Sequence, residues 1–321
     1  TTGNTATVTT SGPITAGSPV QVNSGIKTDS ATYIIGSDIT VTVTLKDNDG
    51  NPVTGQQAAL TPTSVTVPNA TPKEGSGWTD NEDGTYRATY TAETASTENQ
   101  ASLKLNGWSD SRTSDKYAIT KVVKEVKDIT VNGYTFAKDA GFPTTGFTGA
   151  TFTLNTENGS AADYTWETNA SWVSVNSGVV TFTGKGTGDK VSIIGTPVSG
   201  EEYTVEYSFT LHTWFDPSGG RGPNNPKFNS WTAAQKQCAA LPGKTSLPSS
   251  QQVSRGSFVR GVGSLWSEYG SPFDYGESGF EGTGQDAHWL VEYGGTTVDG
   301  SDYGKHWVPA SGWLAKGDKF C

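Results

Sequence analysis

Residues 37–56 read SDITVTVTLKDNDGNPVTGQ, and in them Ile39, Val41, Val43 and Leu45 alternate with Asp38 and a run of threonines. A helical period would scatter these four side chains around a cylinder, whereas a strand puts them all on one face. The strand runs into DNDGNP, a cluster of turn formers from which a second strand can start. The pattern recurs in WTDNEDGTYRATYTAE (78–93), with Tyr86, Ala88 and Tyr90 on one face, and in ASLKLNGW (101–108). Short strands punctuated by Asp-Gly turns at this spacing predict a β-sandwich over residues 1–120. The same acidic turn opens like a calcium loop at Asp47. The sixth position is then Pro52 where glycine is needed, and the twelfth is Ala58 where glutamate is needed. Both it and Asp80–Gly84 therefore read as hairpin turns, and no metal site is expected.

Working outward, the charged opening of KVVKEVKDITVNGYTF (121–136) marks a boundary. After it come GATFTL, ADYTWETNASWVSV, GVVTFTGKG, KVSIIGT and YTVEYSFTL, each of strand length and separated by Gly and Asn clusters. Residues 121–212 are thus a second sandwich, with Trp166 and Trp172 as expected core anchors. At HTWFDPSGGRGPNNPKF (212–228) Gly, Pro and Asn crowd together and a third domain, 213–321, is expected to begin. Ser230 is placed to cap a helix starting at Trp231. In WTAAQKQCAALPG the residues Trp231, Ala234, Cys238 and Leu241 fall on one helical face, which turns Cys238 inward. HWLVEY and KHWVPASGWLA follow as aromatic strands between Gly-rich loops. Six of the ten tryptophans lie from Trp214 onward, so this last third is aromatic-dense.

Composition sets limits on function. A chain of 321 residues suggests two or three domains. The hydrophobic share is only 33%, but 10 Trp, 12 Tyr and 12 Phe bury large areas each, so a packed core is within reach. The formal net charge of -10 repels a polyanion over most of the surface, which excludes nucleic acid as a partner. No apolar run is long enough to cross a bilayer and no signal-peptide pattern opens the chain. Methionine is absent altogether. A processed chain or excised fragment is therefore expected, attached to a membrane only through an N-terminal anchor outside it.

The two cysteines, Cys238 and Cys321, are either thiols in a reducing compartment or one bridge in an oxidising one. A bridge would close a loop of 321 − 238 = 83 residues and stabilise by about 4 to 5 kcal/mol on chain entropy. It would also pin a terminus that otherwise frays. The secreted-looking composition favours the bridge.

These features resemble the extracellular region of the intimin and invasin family of Gram-negative outer-membrane adhesins. SDITVTVTLKDNDGNPVTGQ is similar to the first strands of that family's bacterial Ig-like repeats. YTWETNASWVSVNSGVVTFTGKGTGDKVSI (164–193) is similar to a second type of bacterial Ig-like domain. From about Thr213 the chain resembles the family's C-type lectin-like cap, in which a helix cysteine bridges to one at the chain end. The resemblance implies a mainly β chain: two Ig-like β-sandwich domains in tandem, then a small α+β C-type lectin-like domain. It further implies a rigid stalk with a tip that binds a host protein, at the cell surface or in secretions, on the extracellular face of a Gram-negative outer membrane. A monomeric fragment without cofactor or catalysis is expected. Two departures narrow this. Calcium-dependent sugar binding needs motifs that this chain replaces with GQDAHW and DGSDYGKHW. Integrin-binding members carry an Asp soon after the helix cysteine, where this chain has AALPGKTSLPSS, and no Arg-Gly-Asp occurs anywhere.

For catalysis, no nucleophile elbow is found, and His288 and His306 each precede a Trp in an expected strand, where a structural role is the ordinary one. The stretch that stands out is LWSEYGSPFDYGESGFEG (265–282). Its Trp266, Tyr269, Phe273, Asp274, Tyr275 and Phe280 sit among Ser, Gly and acids, the composition of a binding loop. Arg255 and Arg260 precede it and can pair with an acidic partner, and Asp302 and Tyr303 form a second candidate loop. The alternative use of the same aromatics is a calcium-independent carbohydrate-binding module or a glycan-active enzyme, with Glu277 and Glu281 as flanking carboxylates.

Overall fold

The computed structural model describes residues 16–216, 231–241, 243, 246–280, 288–296, 302–308, 311 and 313–315. They fall into two compact units, Thr1–Val122 and Val123–Cys321. Among the described residues no helix is long and apolar enough to cross a membrane.

In the first unit the expected strand forms as Asp38–Thr44, paired antiparallel with Thr85–Ala92. The register sets Ile39 opposite Tyr90, Val41 opposite Ala88 and Val43 opposite Tyr86, so both alternating patterns turn the same face inward. Ile39, Val41, Val43 and Leu45 are fully buried. Two further three-stranded sheets contribute Val65, Leu103, Tyr117 and Ile119 to the same core, which makes the unit a sandwich. The DNDGN segment is a turn closed by its own first carboxylate. Asp47 accepts hydrogen bonds from the amides of Asp49 (3.0 Å), Asn51 (2.8 Å) and Gly17 (3.0 Å), and from Asn51 Nδ2 (3.1 Å). These donors hold the Asp47 carboxyl at about 2, below the usual carboxylate range.

The second unit holds a four-stranded sheet and a five-stranded sheet. The four-stranded order is Val122–Glu125, Tyr203–Phe209, Val191–Pro197, Tyr164–Thr168. The five-stranded order is Tyr134–Ala137, Asp128–Val131, Thr151–Asn155, Val179–Phe182, Val173–Asn176. Trp172 is buried against Phe182, with ring centroids 5.0 Å apart. Trp166 is half-buried and lies across Gly195 of the neighbouring strand. A Cβ at Gly195 would come within 2.7 Å of the indole, so this position requires glycine for close approach. Both rings anchor the core as the sequence indicated.

Among the described residues past 212, most of the buried apolar side chains join the core of the second sandwich. Thr213–Trp214 pairs in parallel with Thr145–Gly146 of the second sandwich. One apolar cluster then runs from Phe147, Phe152 and Phe182 through to Leu265, Trp266, Tyr269, Tyr275, Leu290 and Trp307. A three-stranded sheet, His288–Thr296, Asp302–Val308 and Trp313–Ala315, carries helix α1 (Trp231–Ala240) against its first two strands. The anticipated helix face is observed: Ala234 is buried, Trp231, Cys238 and Leu241 are half-buried, and Trp231 Nε1 donates to the Leu290 carbonyl at 2.8 Å. Burial pushes the Cys238 thiol up. Ser230 and Cys321 lie outside the described residues.

Candidate functional site

Two short helices follow α1. Helix α2 (Ser250–Val253) starts at a capping box in which the Ser249 hydroxyl accepts from Gln252 N and the Gln252 side chain accepts from Ser249 N. Helix α3 (Leu265–Tyr269) is buried at all five positions. Its polar residues Ser267 and Glu268 are enclosed together with the apolar Leu265, Trp266 and Tyr269, so no side of it faces water. Between the two helices, residues 254–263 form a loop held at several points. Arg255 N donates to Ser267 Oγ (3.1 Å), Gly261 N to the Ser267 carbonyl (2.9 Å), and Phe258 N to the Ser311 carbonyl (2.8 Å).

Arg260 braces this loop against the second sandwich. Its guanidinium donates to the carbonyls of Val131 (2.9 Å), Asn132 (3.1 Å), Ser267 (3.1 Å) and Glu268 (2.9 Å), and lies 5.0 Å over the Tyr134 ring. Burial lowers its pKa, yet it stays charged, and four carbonyl dipoles supply what water would. Alongside it, Asn132 Nδ2 donates to the Tyr269 carbonyl (3.1 Å) and to Asp274 Oδ2 (2.7 Å).

Behind the loop lies a fully buried carboxylate, Glu268. Five donors converge on it. Thr144 contributes its amide (3.0 and 3.1 Å to the two oxygens) and hydroxyl (2.6 Å), Thr145 its amide (2.9 Å) and hydroxyl (2.7 Å), and Gly263 its amide (2.9 Å). Four of these come from the second sandwich. A buried charge is tolerated only when satisfied this completely. Tyr269 adds a hydroxyl bond to the Thr145 carbonyl (2.8 Å), and its pKa is raised well above the ordinary value, first by burial and then by the Glu268 charge.

The residues anticipated as contacts divide by depth. Trp266, Tyr269 and Tyr275 are buried, which corrects the expectation that these rings face a partner: they are core. Tyr269 and Tyr275 pack edge-on to Phe147 at 5.1 and 5.3 Å, and Tyr275 donates its hydroxyl to the Tyr269 carbonyl (2.8 Å). Arg260, expected to meet an acidic partner, is instead committed to internal carbonyls. Phe273 and Phe280 are half-buried, and Phe280 packs on Phe147 and Trp307. Arg255 and Asp274 are exposed. Asp302 and Tyr303 sit in a strand opposite Thr296 and Gly295, and their side chains lie outside what the structure describes. His288 is half-buried, 6.0 Å from Trp307 and 6.2 Å from Phe280. Among the described residues no group of His, Cys, Asp and Glu is arranged to hold a metal ion.

Sequence reasoning missed Phe258 and Val259, whose side chains are 73% and 43% exposed. Phe258 also has φ +59°, a left-handed conformation rare for a bulky residue. The readable signal was an apolar pair set between glycines and arginines, GSFVRG, with no period to place it in a strand or helix.

Comparison with known proteins places these features. The family described as "Invasin, domain 3" matches residues 20–124, and "Invasin, domain 4" matches residues 127–209. Together they cover more than half of the chain. The chain belongs to the intimin and invasin family. Among its relatives, the inverse autotransporter adhesin YeeJ of Escherichia coli (strain K12) is 33% identical over 211 residues, 63% of this chain. Invasin of Yersinia enterocolitica is 32% identical over 157 residues, 48% of this chain. The chain spans 8% of the length of the first and 18% of the second. The crystal structure of invasin, described as a bacterial integrin-binding protein, superposes with a TM-score of 0.50 over 95% of this chain and 79% of that one, at 21% identity. This similarity shows a shared fold: mainly β, with Ig-like invasin domains. The invasin family to which the chain belongs is one of bacterial adhesins.

Proposed function

We propose that this chain is the outward part of an outer-membrane adhesin of a Gram-negative bacterium, and that it acts by binding and not by catalysis. The Ig-like domains (1–120 and 121–212) serve as a stiff stalk, and residues 213–321, folded as a C-type lectin-like domain, bind a host protein as a monomer. The observation that carries this reading is the tandem match to invasin domains 3 and 4, continued by a segment whose core is shared with the second of them. A tip bonded through Glu268 and Arg260 to its stalk transmits load without hinging, which suits an adhesive end. The contact surface is drawn from exposed or half-buried groups, Arg255, Phe273, Asp274 and Phe280, with Asp302 and Tyr303 on the adjoining strand. Trp266, Tyr269 and Tyr275 belong to the core of the segment that carries them. A Cys238–Cys321 bridge closes the tip.

The test uses the whole chain, fluorescently labelled, on cultured mammalian cells. Saturable binding that is lost when the cells are treated with protease, and unaffected by chelator or glycosidase, supports the reading. Binding that resists protease and disappears with glycosidase replaces it with a carbohydrate-binding module. Absence of binding refutes it for these cells.

A further inference from the structure

Between Asp216 and Glu268 the sequence contains no carboxylate and six basic residues, Arg221, Lys227, Lys236, Lys244, Arg255 and Arg260, in a chain whose formal net charge is -10. With acids making up 32 of 321 residues, a run of this length without one reflects a segregation of charge. Near the end of this run lies the loop bearing Phe258 and Val259. Phe258 there forgoes two sources of stability at once. Its ring is largely in water, touching the protein through an edge-on contact with Trp266 at 5.9 Å, and its backbone is in the left-handed region that glycine adopts freely. Glycines stand two positions before and three after, so the sequence has the residue that would relieve the strain close by and does not use it here. The loop is nevertheless fixed, by the Phe258 amide on Ser311 and by Arg260 on four carbonyls. Arg255 beside it is exposed and makes no ion pair among the described residues. A rigid, exposed aromatic next to an uncommitted cation is the make-up of an interface anchor, since little ordering entropy remains to be lost on binding.

Resting on the adhesin reading above, we infer that Phe258 and Val259, flanked by Arg255, form the anchor of a protein-docking surface, and that the partner presents an apolar pocket rimmed by carboxylates. Charge complementarity selects a carboxylate for the rim, because the exposed Arg255 beside the apolar pair has no ion-pair partner among the described residues and lies in a run of sequence without acids in an otherwise acidic chain. The apolar pair selects a protein over a sugar or a phosphate group, neither of which offers a pocket for a phenyl ring beside an isopropyl group.

The experiment is binding of the full chain to cultured mammalian cells, for the unchanged protein and for Phe258→Gly, Arg255→Glu and Arg255→Lys, with thermal melting of each. Phe258→Gly is expected to weaken binding about 30-fold, the scale of an interface hot spot, while its melting temperature stays level or rises because the left-handed strain is gone. Arg255→Glu should weaken binding comparably, Arg255→Lys should retain most of it, and raised salt should weaken the unchanged protein. Binding by Phe258→Gly and Arg255→Glu equal to that of the unchanged chain overturns the inference and leaves the adhesin reading standing. Failure of the unchanged chain to bind overturns both. Anchor-dependent binding to protein-free phosphatidylserine vesicles, or binding abolished by glycosidase and not by protease, overturns the choice of an acidic protein.

Discussion

Replacing Glu268 by glutamine tests whether its carboxylate holds the terminal segment to the second sandwich. The substitution keeps the shape, removes the charge, and exchanges one acceptor oxygen for a donor amide. Whichever oxygen is exchanged, one hydroxyl and one backbone amide lose their acceptor to an N–H: those of Thr145 at Oε2, or the Thr144 hydroxyl and Gly263 amide at Oε1, while the Thr144 amide, which bonds both oxygens, keeps the other. The hydroxyl can rotate and accept, but the backbone amide cannot, and a buried donor left unsatisfied costs about 1 to 3 kcal/mol. Loss of charge from the remaining bonds adds about 1 kcal/mol, since charge-assisted hydrogen bonds are roughly twice as strong as neutral ones. The sum is about 3 kcal/mol. For a unit the size of Val123–Cys321 this corresponds to a fall in melting temperature of about 6 to 12 °C. Scanning calorimetry of the whole chain reads it, with the transition of Thr1–Val122 as an internal reference that should not move. Glu268→Ala should fall further and Tyr269→Phe, which loses one hydroxyl bond to Thr145, by about a third as much. A melting temperature for Glu268→Gln within about 2 °C of the unchanged protein would refute the reasoning, because the five donors would then be satisfied without a carboxylate.

Three more outcomes are expected. Gly149→Ala should destabilise the second unit by about 2 to 4 kcal/mol, because at φ +85° its Cβ would lie 2.6 Å from the Glu277 carbonyl carbon; Gly141→Ala, at φ +80° with open space around it, should cost only about 1 kcal/mol by the same calorimetry. Since the Asp47 carboxyl is held at about 2 in the folded unit, its contribution to stability is present above about pH 4 and lost as pH falls toward 2; acid titration of the first unit's melting temperature should be steeper in the unchanged protein than in Asp47→Asn. Tyr207, Tyr269 and Tyr275 all have raised pKa values, chiefly through burial, so their phenols should stay protonated as pH passes about 10, and the stability they carry should fall from there upward; ultraviolet titration should show them ionising together with unfolding of the second unit.

The behaviour of the stretch 265–282 shows where local reading stops. Its rings among serine and glycine have the composition of a binding loop, and also that of a tightly turned buried segment. Which of the two it becomes depends on Phe147 and Thr145, more than a hundred residues earlier in the chain. Arg260 likewise looked like a free cation because the four carbonyls that hold it are backbone atoms, which no side-chain pattern reveals.

What the sequence by itself determined is everything carried by nearest neighbours along the chain. A period of two placed Ile39, Val41 and Val43 on one buried face, the Asp-Asn-Asp-Gly order closed a turn on Asp47, and the spacing of Trp231, Ala234 and Cys238 set the inward side of α1. These outcomes depend on backbone geometry that each segment satisfies alone. The tertiary structure alone decided which aromatics are core and which are offered to water, and that the terminal segment shares a core with the second sandwich. Burial is a property of what packs on a residue from elsewhere in the chain, so Tyr269 is enclosed while Phe258, eleven residues before it, stands exposed.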